Sequence, residues 1–184
     1  MATTHVLFLC TGNICRSPMA EYLTRAKVGA SGADVVTSSA GLALQGEQPT
    51  DHAVSVMADR GIDMTPHRSR KVTPEILGDA DLVLGMTARH SREAAVLDLD
   101  GAHRVFTLRE LARIVASHGG RAPGQGLEEY LESLAEVRPK AMIGSGGAVD
   151  DIEDPFKRRK KRYVRARNEI EESLEVVLRE VVLV

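Results

Sequence analysis

Residues 6–27 place a strand, a tight loop and a helix in immediate succession, and this sequence fixes what can be built around it. Val6-Leu-Phe-Leu9 is a short apolar run of β character. Cys10-Thr-Gly-Asn-Ile-Cys-Arg-Ser17 follows, and Pro18 to Lys27 has helical character. The first backbone N–H groups of a helix have no intrahelical partner, and with the macrodipole they make an anion site. Loop N–H groups that converge on one concavity add to that field. A cysteine at the strand end, facing this field and an arginine six positions on, is favoured as a thiolate. Arg16 brings a planar fork matched to two oxygens of a phosphate-like dianion. A thiolate inside a phosphate cradle is the arrangement for phosphoryl transfer through cysteine. In a chance Cys-x5-Arg pair the cysteine is a small buried hydrophobe. The Gly, the Asn, the Ser after Arg16 and the strand-then-helix context set this stretch apart.

Strand and helix signals alternate along the rest of the chain. Val35–Ser39 is a second β run, Asp51–Arg60 a helix capped by Asp51 and stopped at Gly61, and Thr73-Pro-Glu-Ile-Leu a capped helical turn. Asp81–Met86 is a third strand followed by a helix over Thr87–Leu97. His103–Phe106 is a fourth strand followed by a helix over Leu108–Ser117. Ile170, Leu174, Val177, Leu178 and Val181 recur at helical spacing in a last helix from about Lys157 to Val181. This alternation predicts an α/β fold: an open, doubly wound, parallel four-stranded sheet with helices on both faces. The site then lies beyond the C-terminal ends of the strands, at the switch point, where the loop after the first strand falls.

The chain has 184 residues, 43% hydrophobic and 27% charged, with a net charge of −2, which suits one enzyme domain over 1–184. That balance does not describe a nucleic-acid binder. The N-terminus lacks the regions of a signal peptide, and no apolar run approaches the ~20 residues of a membrane helix. The two cysteines, Cys10 and Cys15, share one loop, so a reducing cytoplasm is the expected location. Cys15 either packs or traps oxidised Cys10 as a reversible disulfide. No histidine or cysteine spacing suggests a metal, and no cofactor is expected.

The motifs Val6–Glu21, Ser38-Ser-Ala-Gly41, Arg60-Gly-Ile-Asp63, His67-Arg-Ser-Arg70, Asp81–Met86 and Ile152-Glu-Asp-Pro-Phe156 together resemble the low-molecular-weight protein tyrosine phosphatases. The resemblance implies the phosphotyrosine phosphatase version of a flavodoxin-like topology, with Cys10 as nucleophile, Arg16 as phosphate clamp and Thr11, Gly12, Asn13, Ile14, Cys15 and Arg16 cradling the phosphate. It makes Asp154, stiffened by Pro155, the general acid and then base, in preference to Asp150 and Asp151. Asn13, Ser17, Ser39 and His67 correspond to residues that hold the loop by hydrogen bonds. Ser17 also suits donation to the Cys10 sulfur. His5, His52, His90, His103 and His118 carry no functional argument. The implied substrate is a phosphotyrosine protein, a tyrosine kinase being one candidate from family habit, and the implied state is a monomer.

Three features depart from the family pattern. Thr87 stands where an acidic residue is common. Leu42, Ala43, Leu44 and Gln45 replace an aromatic wall, leaving Leu44 and Phe156 as wall candidates in a chain with no Trp, three Tyr and three Phe. An insertion spans about 119–149, with Leu127, Tyr130, Leu131, Leu134 and Val137 at helical spacing, and it is either an edge helix or a lid. Lys157-Arg-Arg-Lys-Lys-Arg162 is either a solvated face or a steering charge. Nucleic-acid binding through this run is the non-enzymatic alternative. Within enzymes the alternatives are arsenate reduction, for which the chain lacks further thiols, and phosphoarginine hydrolysis, whose members typically carry threonine where Ile14 stands.

Overall fold

The computed structural model describes residues 3–138 and 149–184. The loop-like stretch from Pro139 through Gly147 in the insertion lies outside the described residues. Four parallel strands, β1 (Thr4–Cys10), β2 (Val35–Gly41), β3 (Leu82–Gly85) and β4 (Val105–Thr107), pair in the order β2-β1-β3-β4. The chain steps from β1 to β2 on one side and returns to β3 on the other, so the switch point lies at the end of β1.

Period-two alternation explains how both faces are covered. Val6, Phe8 and Cys10 of β1 face one layer, with Met19, Ala20 and Leu23 of α1 (Arg16–Ser31) and Val56 and Met57 of α2 (Asp51–Ala58). The same layer holds Leu111, Ile114 and Val115 of α5 (Leu108–His118) and Ile170 and Leu174 of α7 (Lys160–Val177). Leu7 and Leu9 face the other layer with Val83 and Val105, Leu77 of α3 (Pro74–Gly78) and Ala94 of α4 (Ala88–Leu97). Strands buried on both faces are continuous apolar runs, as β1 and β3 are.

Several boundaries shift for local reasons. His103 and Arg104, expected at the start of the fourth strand, belong to a 3-10 turn over Ala102–Arg104, and β4 runs from Val105 to Thr107. Thr50, not Asp51, caps α2, its hydroxyl accepting from the Ala53 N–H. Thr73 caps α3 in the same way, and Thr107 with Glu110 forms a full capping box on α5. The last helix starts at Lys160, three residues later than expected, and ends in a π-helical turn at Leu178–Val182. Within the insertion α6 (Leu127–Val137) packs Tyr130, Leu131 and Leu134 into the core. Tyr130 donates to the Gly119 carbonyl at 2.7 Å, and the Arg138 guanidinium binds both carboxylate oxygens of Glu110. This helix packs beside the 3-10 turn Ala102–Arg104. No helix of the described residues is long and apolar enough to cross a membrane.

Gly41 fixes how closely β2 can approach the loop after β1. A Cβ there would lie 2.8 Å from the Asn13 backbone N and 2.9 Å from Asn13 Cβ, and the backbone cannot give way. Gly29 in α1 has open space around its Cβ direction. Gly41→Ala is expected to lower stability by about 1–3 kcal/mol and to abolish the loop's activity. Gly29→Ala is expected to raise stability by roughly 0.5–1 kcal/mol, and urea denaturation of the two variants checks both signs.

Candidate active site

The loop after β1 is wound around Asn13, which is fully buried and in the left-handed conformation with φ 52°. Asparagine tolerates this region better than other non-glycine residues, and here every polar group of the residue is used. Its backbone N–H donates to Cys10 Sγ at 3.2 Å. Its Nδ2 donates to Ser17 Oγ at 3.0 Å and to Ser39 Oγ at 2.8 Å, while Oδ1 accepts from the Arg70 N–H at 2.9 Å. Its carbonyl lies 2.7 Å from His67 Nε2. A carbonyl only accepts, so Nε2 carries the proton. Burial lowers the His67 pKa and keeps that ring neutral.

Ser17 Oγ has one proton and two acceptors within reach, Cys10 Sγ at 3.1 Å and the Ala40 carbonyl at 3.3 Å. Ser39 Oγ passes the network on to Glu21 Oε2 at 2.6 Å, and Glu21 is itself paired with Arg25. Asn13, Ser17, Ser39 and His67 thus come together around the loop. Glu21 and Arg70, whose Nε donates to the Ser39 carbonyl at 2.8 Å, extend that shell. Neither was singled out in the sequence, although both lie inside the quoted motifs.

The N-terminus of α1 is left open. Its N-cap, Cys15, makes no side-chain cap bond, and its first turn has no acidic residue, whereas threonines cap α2, α3 and α5. The unpaired first-turn donors therefore remain for a ligand. Arg16 starts this helix with its side chain buried, Nη1 donating to the Ile152 carbonyl at 2.9 Å and Nη2 reaching Asp154 Oδ2 at 2.8 Å. Its Nε is buried without a hydrogen-bond partner, which leaves a donor for a ligand oxygen.

Asp154 Oδ1 accepts from the Phe156 N–H at 3.1 Å, an Asx turn that aims the carboxyl over the loop. The neighbouring acids are engaged elsewhere: Asp150 with Arg113, and Asp151 with the Ala88 N–H at 2.8 Å. Cys10, Thr11, Gly12, Ile14, Cys15, Arg16, Ala43, Leu44, Asp154 and Phe156 line one pocket of about 170 Å³. That is close to the roughly 150 Å³ of a cavity that takes up benzene. Leu44 and Phe156, the two wall candidates, are both at its rim.

The two cysteines are unequal. Both are buried free thiols. Desolvation pushes the Cys15 thiol up to about 11, while contacts with Thr50 and Tyr163 offset only part of that rise. Cys15 is therefore a neutral thiol at pH 7, poorly suited to attack an oxidised Cys10.

His90 corrects the sequence reading, which gave it no role. It is 1% exposed, with Nδ1 2.8 Å from Thr87 Oγ1 and Nε2 3.0 Å from Thr11 Oγ1 in the loop. Thr87, in the position where an acid is common, is the N-cap of α4 and steadies this imidazole. A Thr-x-x-His at a helix start was the available signal, because it points the ring back toward the strand ends. Burial, with help from Arg16 and Arg89, lowers the His90 pKa from 6.5 to about 3.

Between those two values the unfolded chain holds a proton on His90 that the folded chain does not, so stability rises with pH across the window. The contribution is fully present above 6.5 and is lost as pH falls toward 3. Urea denaturation between about pH 7 and 4 should show a steeper loss of stability in the wild type than in His90→Gln. Parallel curves would contradict this assignment.

Comparison with known proteins identifies the family. The family described as low molecular weight phosphotyrosine protein phosphatase matches residues 5–124, a stretch that holds the loop and its shell but ends before Asp154. The protein-arginine-phosphatase of Bacillus subtilis (strain 168) is 36% identical, over 73% of this chain and 97% of its own. The probable low molecular weight protein-tyrosine-phosphatase EpsP of Ralstonia nicotianae is 35% identical, over 70% of this chain and 87% of its own. Among solved structures, the low molecular weight protein tyrosine phosphatase from T. tengcongensis superposes with a TM-score of 0.74 at 29% identity, covering 96% of this chain and 99% of that one. A YwlE mutant from Bacillus subtilis gives 0.72 at 30%, covering 96% and 97%. The relatives are named as phosphatases of two substrate classes, and the solved structures share this chain's fold. This chain belongs to the low molecular weight phosphotyrosine protein phosphatase family.

Proposed function

We propose that this phosphatase hydrolyses phosphotyrosine in proteins through a phosphoenzyme on Cys10. The phosphate dianion enters the loop and takes the donors of Arg16 and of the α1 N-terminus, which frees Asp154 from its ion pair. Asp154, released from Arg16, takes up a proton from solvent. The Cys10 thiolate attacks phosphorus, the bond from phosphorus to the tyrosine oxygen breaks, and Asp154 gives that oxygen its proton. Water then attacks phosphorus, the P–S bond breaks, and the Asp154 carboxylate takes the water's proton. The Ser17 hydroxyl, 3.1 Å from the sulfur, stabilises the thiolate at both ends of the cycle. No step calls for a metal or cofactor.

Ile14 carries the choice of phosphotyrosine. It lies in the loop that lines the pocket, where phosphoarginine-hydrolysing members typically have threonine, and with Ala43, Leu44 and Phe156 it makes a collar that is apolar apart from Asp154. A phenyl ring is well matched to such walls. A guanidinium would be stripped of water there with one carboxylate to replace it. Phosphoarginine hydrolysis is the second reading, favoured by the identity to the Bacillus subtilis arginine phosphatase over nearly all of that protein.

One assay series with EDTA present tests both. Wild type should turn over a phosphotyrosine peptide with kcat/KM roughly 10- to 100-fold above a phosphoarginine peptide, and Ile14→Thr should narrow that ratio. Cys10→Ser should abolish turnover, and Asp154→Ala should lower it by about 10²–10⁴. A preference for phosphoarginine in the wild type would establish the second reading instead.

A further inference from the structure

The run from Lys157 to Arg162 is exposed throughout, and its placement against the pocket is specific. Phe156 forms part of the pocket rim, and Lys157 Nζ lies 5.3 Å from the centroid of that ring. The Arg158 N–H closes a turn on the Pro155 carbonyl at 2.9 Å, so the cations follow directly from the loop that carries Asp154.

Two members of the run are neutralised at its far end: Lys160 by Asp59 at 3.2 Å and Arg162 by Glu153 at 2.9 Å. Among the described residues, Lys157, Arg158, Arg159 and Lys161 have no carboxylate partner. The acids nearest in sequence are engaged elsewhere: Glu153 with Arg162, Asp154 with Arg16 and Asp151 with the Ala88 N–H.

Stability does not account for these charges. Lys157 is a non-glycine residue in the left-handed region, φ 59°, and Arg158 to Lys161 stand at the N-terminus of α7, whose first turn has no acid. A helix dipole disfavours cations at that end.

We propose that Lys157 and Arg158 form a cationic collar that selects phosphotyrosine segments with Asp or Glu beside the phosphorylated residue. The inference rests on the phosphotyrosine reading above. An extended peptide rises ~3.3 Å per residue, so a carboxylate two positions from the phosphotyrosine lies ~7 Å along the chain, within reach of a cation over the rim. The collar adds attraction for the flanking carboxylates to the capture of phosphate by Arg16, and fields of this kind raise association rates.

The test measures kcat/KM for two phosphotyrosine peptides, one flanked by Glu and Asp and one by Ala and Gln, in wild type and in Lys157→Ala/Arg158→Ala. Both positions are exposed, and the ratio of the two peptides cancels any general loss. The wild type should favour the acidic peptide about tenfold at low salt. That ratio should fall toward one in the double variant, and also at high ionic strength, where charges more than a few ångströms apart are screened.

Equal use of both peptides by the wild type would overturn the collar while leaving the phosphotyrosine reading standing. A ratio unchanged in the double variant would also overturn it. Failure to turn over either peptide would remove the phosphotyrosine reading and the collar with it. Equal use of the peptides together with salt-sensitive binding of random duplex DNA would reassign the run to nucleic acid.

Discussion

The left-handed turn at Asn13 is the constraint on which the site depends. Without it, the β1 strand would not double back so that its last residue, Cys10, faces the first turn of α1. Asn13 holds the turn through its own N–H to the Cys10 sulfur and through a side chain that ties Ser17, Ser39 and Arg70 to one point. A residue that only tolerated the backbone angle, such as glycine, would supply none of those side-chain bonds. Gly41 completes the arrangement from β2, because any side chain there would press on the Asn13 backbone.

With the loop held, electrostatics does the rest. One buried cation, Arg16, stands at an uncapped helix N-terminus, and the carboxyl of Asp154 meets it across the pocket. In the proposed reaction this pair would offer its donors to the dianion and hold the acid on the leaving-group side. Neutral groups complete the surround. His67 and His90 are buried rings whose pKa values are lowered, so they hold the loop by hydrogen bonds and add no charge to the cradle. Cys15, its thiol pushed up to about 11, also stays neutral beside Cys10.

Much of this was legible in the chain because the loop is local. A strand, eight residues and a helix contain Cys10, Arg16 and Ser17 within one motif, and the alternation of strand and helix signals carried the parallel sheet. What escaped was long-range. His90 approaches Thr11 from 79 positions away, and Arg70 approaches Asn13 from 57. The Thr87-x-x-His90 start of α4 turns the ring toward the strand ends but does not name Thr11, and nothing local names the partner of Arg70. The start of β4 was misplaced because Ala102–Arg104 satisfies its backbone in a 3-10 turn, which apolar periodicity cannot distinguish from a strand end. The start of α7 was misplaced because lysine and arginine are good helix formers, and nothing in their propensity records the Asx turn and left-handed residue that precede the helix.

The central claim is that the phosphoryl group passes through Cys10, and trapping it tests this most directly. Enzyme mixed with excess phosphotyrosine peptide and quenched in acid during turnover can be digested and its phosphorylated residue located by mass spectrometry. The phosphoryl group is expected on Cys10 alone, accumulating further in Asp154→Ala because hydrolysis of the intermediate is slowed. A phosphoryl group on another residue, or none on Cys10 while turnover proceeds, would contradict it.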